Sequence, residues 1–234
     1  MIKALKFFFG LLFIVILAAL GALWYFGAVP GLSKPMDLGA KNDPKLFADF
    51  NKAHGMKDQT PGGVVPAGRM AEFSGQTELD VNLSSDEITS ILAAWRKRSP
   101  SLPVKDVQVR FNSDGTGEIS GVLEIKTAVN IAKQLGYDDS DIEEGKKYVQ
   151  YVPGDVIFYA KGTGGMTDNK MFLNPETFQV GRITVPQSIT SKVVPVVNDM
   201  IEKRINQVGT IHVKSIDFSK GSLHFSGTVP DTVK

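Results

Sequence analysis

The side chains able to do polar chemistry are few and scattered. The three histidines, His54, His212 and His224, lack the i, i+4 pairing by which one helix face presents two imidazoles to zinc. His212 and His224 could approach each other across the last predicted hairpin; ordinary surface positions on strands are the alternative. Asp138-Asp139-Ser140-Asp141, with Glu143 and Glu144, has the composition of a calcium loop but neither its central glycine nor its closing glutamate. It reads as a helix start, where carboxylates meet the positive end of the helix dipole. Lys161-Gly162-Thr163-Gly164-Gly165-Met166-Thr167 is glycine-rich, yet a phosphate loop places its lysine after the glycines and ahead of a helix. A hairpin turn is the simpler reading. There is no Gly-x-Ser-x-Gly elbow, no pair of carboxylates at evident strand ends, and no cysteine. The expectation is a non-enzymatic chain with no catalytic residue, metal ligand or cofactor.

Basic residues number 26 against 25 acidic ones among 234, so no net field favours nucleic acid as a partner. The absence of cysteine removes disulfides and thiolates without naming a compartment. What remains is apolar chemistry, carried by two helical stripes. In the first, Ile88, Ile91, Leu92 and Trp95 fall at i, i+3, i+4 and i+7. In the second, Val193, Val197, Met200, Ile201 and Ile205 do the same work over a longer stretch, which Pro195 would kink or delay. Such stripes are core in most domains, or they line an apolar groove.

A different apolar run lies at the start. Residues 7–26, FFFGLLFIVILAALGALWYF, carry no charge and would span about 30 Å as a helix. Lys3 and Lys6 precede the run, Trp24 and Tyr25 suit an interfacial belt, and Pro30-Gly31 ends it. A cleaved signal peptide would have a shorter apolar core of about 7–15 residues. The expected organisation is a short cytoplasmic segment at 1–6, a transmembrane helix at 7–27, a stalk at 28–70, and an extracytoplasmic domain at 71–234. The stalk reads as Gly/Pro-rich, with a short helix over Pro44–Ala53 capped by Asn42 or Asp43; a disordered linker is the rival reading. Lys34, Lys41 and Lys45 after the span weaken the positive-inside signal, and the brevity of the leader decides for a cytoplasmic N-terminus.

The soluble part repeats a pattern at about 81–125 and 183–230: strand, helix, hairpin. The first helix opens on Ser84-Ser85-Asp86-Glu87, a capping box. In the hairpins, Val104 and Val107 match Val213 and Ile216, each pair three apart within alternating strands, as a β-bulge would require. Both return strands contain Ser-Gly, at 120–121 and 226–227. The spacing predicts a longer second helix and a shorter second hairpin. Between the copies, helices are expected at Ala128–Leu135 and Ser140–Tyr148, and strands at Asp155–Lys161 and Lys170–Leu173 joined by the loop Gly162–Gly165. The fold class is α+β: a curled antiparallel sheet packed on two main helices, with an internal pseudo-repeat.

Phe178-Gln-Val-Gly-Arg-Ile-Thr-Val-Pro186, together with Asp37-Leu38-Gly39 before a short helix, resembles the membrane-anchored bacterial envelope proteins of the YpmS-like kind over about residues 35–234. Their architecture is similar to tubular lipid-binding domains, in which a curved sheet wraps a long helix and leaves an apolar groove. The resemblance implies that Ile88, Ile91, Leu92, Trp95, Val193, Val197, Met200, Ile201 and Ile205 contact lipid or another amphiphile. It also implies a single-pass plasma-membrane protein. The rival expectation is a structural or assembly subunit of an envelope complex, whose partners would be other envelope proteins or a second copy of the chain.

Overall fold

The computed structural model describes residues 34–58, 64–65, 71–140, 142–143 and 154–233. Among them no helix is long and apolar enough to cross a membrane; the run 7–27 expected to do so lies outside the described residues, as do parts of the stalk and most of the helix expected at 140–148.

The described chain is α+β, with four helices and a mostly antiparallel sheet. In chain order the elements are α1 (Pro44–Ala53), β1 (Lys57–Asp58), β2 (Phe73–Ser74), β3 (Thr77–Leu83), α2 (Ser85–Arg98), β4 (Val104–Phe111), β5 (Gly117–Leu123), α3 (Ile125–Gln134), β6 (Val156–Thr167), β7 (Lys170–Val180), β8 (Ile183–Thr184), α4 (Gln187–Val208), β9 (His212–Ser219), β10 (Ser222–Val229) and β11 (Thr232–Val233). Local chemistry sets the helix starts. Asp43 caps α1, its carboxylate accepting from the Lys45 amide. The Ser84/Glu87 capping box forms at α2 in both directions. α3 begins at Ile125, three residues before the expected Ala128. α4 runs from Gln187 to Val208 with Pro195 inside it, so the proline does not delay its start. Pro195 removes one amide, and its would-be acceptor, on Ser191, lies on an exposed turn where water can serve the carbonyl.

Eight strands form one sheet in the order β3-β10-β9-β6-β5-β4, with β7 beside β6 and β8 beside β7. β6 organises it. Its first half, Val156–Gly162, pairs with β5; its end, Met166–Thr167, pairs with β9; β7 runs along its other side. The expected loop at Gly162–Gly165 is therefore corrected: the strand passes straight through these glycines, and the chain reverses at Asp168-Asn169, whose φ values are 48° and 62°. Positive φ at both central residues is the geometry of a tight hairpin turn, which Asp and Asn tolerate. The glycines serve close approach. A Cβ at Gly165 would come within 2.5 Å of the Ile216 carbonyl, and one at Gly164 within 2.8 Å of Leu173.

Both anticipated bulges are present. Between β4 and β5 the register shifts so that Asp106 and Val107 oppose the single residue Gly121. Between β9 and β10 it shifts at Ser226/Gly227, leaving Lys214 as the extra residue. In each hairpin the glycine of the Ser-Gly step faces the bulge: a Cβ at Gly227 would come within 2.2 Å of the His212 carbonyl, and one at Gly121 would be tight against Val107, Lys105 and Phe158 at 3.1–3.2 Å. The second helix has 22 residues against 14. The turn of the second hairpin shrinks from the five residues 112–116 to Lys220-Gly221. The opening strands differ: β3 pairs with β10 over seven residues, whereas the two-residue β8 pairs only with β7. A second sheet, β1-β11-β2, ties the C-terminus to the segment after α1. Beside it sits a buried cluster of Val65, Ala71 and Val233, against which Phe73 and Trp95 pack.

Candidate functional site

α2 docks sideways on β4, the edge strand of the sheet. An edge strand leaves backbone amides without ladder partners, and α2 supplies hydroxyls for two of them. Thr89 Oγ1 accepts from the Val109 amide at 3.0 Å, and Ser85 Oγ accepts from the Phe111 amide at 3.0 Å. These residues are four apart and so share a helix face. Ser90 is closed to solvent as well, donating to the Asp86 carbonyl and accepting from the Asp43 amide, which fixes the residues before α1 to α2. The most deeply buried positions of α2 are thus Thr89 and Ser90, each 1 % exposed.

The expected apolar stripe of α2 lies beside this polar seam and is only partly covered. Ile88, Ile91, Leu92 and Trp95 are all half-buried. Leu92 lines a cavity of about 370 Å³ between α2 and the bulge at 104–108, with Thr89, Arg96 and Lys105 among its other walls. Trp95 is tilted against Phe73, with ring centroids 5.8 Å apart. On α4, Val193, Met200, Ile201 and Ile205 are half-buried and Val197 is exposed. α4 rests on β7. Its best-buried residue is Thr190, and Glu202 anchors it by accepting from the Met171 amide and pairing with Lys170 at 2.9 Å. The two stripes therefore dock on different strands; their C-terminal ends converge around Phe73, which touches Trp95 of α2 and lies 5.7 Å under the guanidinium of Arg204 of α4.

That convergence borders a second cavity, of about 560 Å³, lined by Ala71, Glu72, Phe73, Gln134, Arg204, Gln207 and Val208. Arg204 is half-buried and donates to the Ala71 carbonyl at 3.3 Å. Burial pulls its guanidinium below its ordinary value, and among the described residues no charged group offsets that effect. α3 approaches from the side: its last turn accepts a hydrogen bond from Gln207 through the Gln134 carbonyl, and Tyr137 hydrogen-bonds Asp199 while lying under Lys203.

The sheet has two chemically distinct faces around β5. Ile119 lies between Val109 and Ala160, and near it Phe111 and Phe218 stack at 5.4 Å. On the opposite face Glu118, 6 % exposed, accepts from Arg110, Asn112 Nδ2 and the Tyr159 hydroxyl. Burial pushes the Glu118 carboxyl up, but these donors outweigh it and hold the group below its usual value. Burial and the Glu118 charge push Tyr159 up to about 12. With both carboxylate oxygens accepting hydrogen bonds, Glu118 is a structural anchor. Leu38 seals this face, its amide donating to Gln108 Oε1.

His212 and His224 sit at opposite ends of the last hairpin and do not meet: His212 is opposite Thr228, and His224 opposite Asp217. His224 contacts Asp80 at 2.9 Å and Asp217 at 3.4 Å. Asp138 and Ser140 form a helix start, the serine hydroxyl donating to Asp138 at 2.6 Å. Arg204, Phe73 and the cavity they share were not anticipated from sequence. Arg204 does fall four residues after Met200 on the helix, but a basic residue inside an apolar stripe reads as a surface charge until its missing partner is seen. Compared with known proteins, the chain matches no family model, no curated protein and no solved structure.

Proposed function

We propose that this chain is a membrane-tethered domain that binds or transfers lipid or another amphiphile along the incompletely covered apolar faces of α2 and α4. The supporting observation is that the stripe residues stay open. Ile88, Ile91, Leu92, Trp95, Val193, Met200, Ile201 and Ile205 are half-buried and Val197 exposed, while the most completely closed side chains are Thr89, Ser90 and Ser120. Open methylene surface of this kind gains about 0.8 kcal/mol for each CH₂ buried by a ligand. The cavities of about 370 and 560 Å³ fall within the roughly 300–1,000 Å³ typical of small-ligand sites. In this reading residues 7–27 hold the domain at the bilayer and raise the local concentration of amphiphile. On the same reading, the strand-helix-hairpin pattern at 81–125 and 183–230, a duplication or pseudo-symmetry, supplies two apolar helices to one sheet.

A second reading is favoured by a different observation. Ile183, Ile189, Val196 and Phe172 stand 36–55 % exposed on β8, α4 and β7, a grouping that also suits a partner subunit or a second copy in an envelope assembly. Native mass spectrometry of the full chain in lipid nanodiscs, followed by solvent extraction, separates the two. Lipid handling requires a stoichiometric adduct lost in Leu92→Arg while circular dichroism is retained. Absence of any adduct, with a partner or dimer in its place, sinks the lipid reading and leaves assembly.

A further inference from the structure

We infer that Arg204 clamps the headgroup of an anionic amphiphile, binding its carboxylate or phosphate at the 560 Å³ cavity while the tail runs back along α4 over Met200, Val197, Val193 and Ile189. This rests on the lipid-handling reading and gives it a polarity and a ligand class.

The argument begins with an imbalance. Half-buried arginines are normally held by carboxylates, and in this chain the half-buried Arg96 meets Glu124 at 2.9 Å, while even the exposed Arg110 meets Glu118 at 2.7 Å. Arg204 is different: among the described residues its guanidinium has one carbonyl and one aromatic face as partners, and it makes no ion pair with Glu72 across the cavity. Four of its five N–H donors are free to point at a ligand. Phe73 and Val208 flank it with apolar surface, so an incoming oxyanion would be met in a partly desolvated place, where charge-assisted hydrogen bonds are strong. Helix periodicity supplies the tail site. Ile189, Val193, Val197, Met200 and Arg204 are spaced by four, four, three and four residues, which aligns them on one flank of α4. The row spans about 22 Å at 1.5 Å per residue, enough for an extended acyl chain. Ile189 and Val197 are 36 % and 37 % exposed on that flank, so the tail would cover apolar surface that the fold leaves in water.

The test uses the full chain in phosphatidylcholine nanodiscs and two diazirine-bearing probes with identical tails, a free fatty acid and its methyl ester, with crosslinks mapped by peptide. The expected result is labelling of the 187–208 peptide by the acid, at least about tenfold weaker with the ester, the factor expected for a charge-assisted hydrogen bond. Arg204→Gln should drop acid labelling to the ester level, Arg204→Lys should restore part of it, and circular dichroism should match the parent in both. Unlabelled oleate should compete and inorganic phosphate should not. Equal labelling by acid and ester, unmoved by Arg204→Gln, overturns the clamp while leaving the apolar reading intact. Failure of both probes to label 187–208 overturns the two together. Displacement by phosphate as effective as by oleate would mark a small-anion site and refute the assignment of a tail.

Discussion

Thr89→Val is the sharpest probe of how α2 is held. The two side chains are nearly isosteric, so the substitution opens no cavity, and Thr89 is 1 % exposed, so water cannot take the place of its hydroxyl. What is lost is the acceptor for the Val109 amide, 3.0 Å away on an edge strand. A buried N–H left without a partner costs about 1–3 kcal/mol. Exchanging a hydroxyl for a methyl returns up to about 0.8 kcal/mol of apolar burial. The net expectation is about 1–2 kcal/mol of destabilisation, or a fall in Tm of about 2–8 °C for a domain of this size. Hydrogen exchange at the Val109 amide should accelerate at least several-fold, beyond the general loss of protection. Thr89→Ser keeps the acceptor and should leave that amide protected even though a methyl is gone. If Thr89→Val melts with the parent protein and Val109 exchanges no faster, the hydroxyl is not what satisfies the edge strand, and the account of how α2 is positioned fails.

Three other outcomes follow from the same geometry. Gly227→Ala places a methyl against the His212 carbonyl within the second bulge, whereas a Cβ at Gly121 finds 3.1–3.2 Å to its neighbours; thermal melts should show Gly227→Ala costing about 3 kcal/mol or more and Gly121→Ala about 1–3, and equal costs would refute the bulge argument. The hydrogen bond to Asp80 raises His224 above the ordinary histidine value of 6.5, so the stabilisation it gives is complete below that value and fades as pH rises through the raised one; an NMR titration should show the elevated midpoint, and Asp80→Asn should lower it. Tyr159 should ionise near pH 12, detected by absorbance at 295 nm. Because its folded value lies above the unfolded one, its contribution to stability is present below about pH 10 and lost toward 12, and Glu118→Gln should bring the titration down.

The sequence by itself determined what depends on near neighbours. The Ser84/Glu87 box and the choice of Asn42 or Asp43 as the cap of α1 follow from near-neighbour spacing, because helix geometry repeats on that scale. The most deeply buried face of α2 did not, since Thr89 and Ser90 lie beside the apolar stripe. Both bulges were legible as a one-residue slip in an alternating pattern, for example Val104 to Val107, since a strand cannot change phase without inserting a residue. Tertiary structure decided what depends on residues far apart. Gly162–Gly165 look like a turn in isolation; they belong to a strand because Asn174, Leu173 and Ile216, contributed by β7 and β9, crowd positions where only glycine fits. That β3 joins β10, 144 residues away at the Asp80–His224 contact, is a matter of sheet pairing that local spacing does not encode. The character of Arg204 is also non-local. Its position on the helix is written in the chain, but that no carboxylate among the described residues pairs with it is a property of everything packed around it, and charge balance in a partly buried place is settled only when the whole fold has closed.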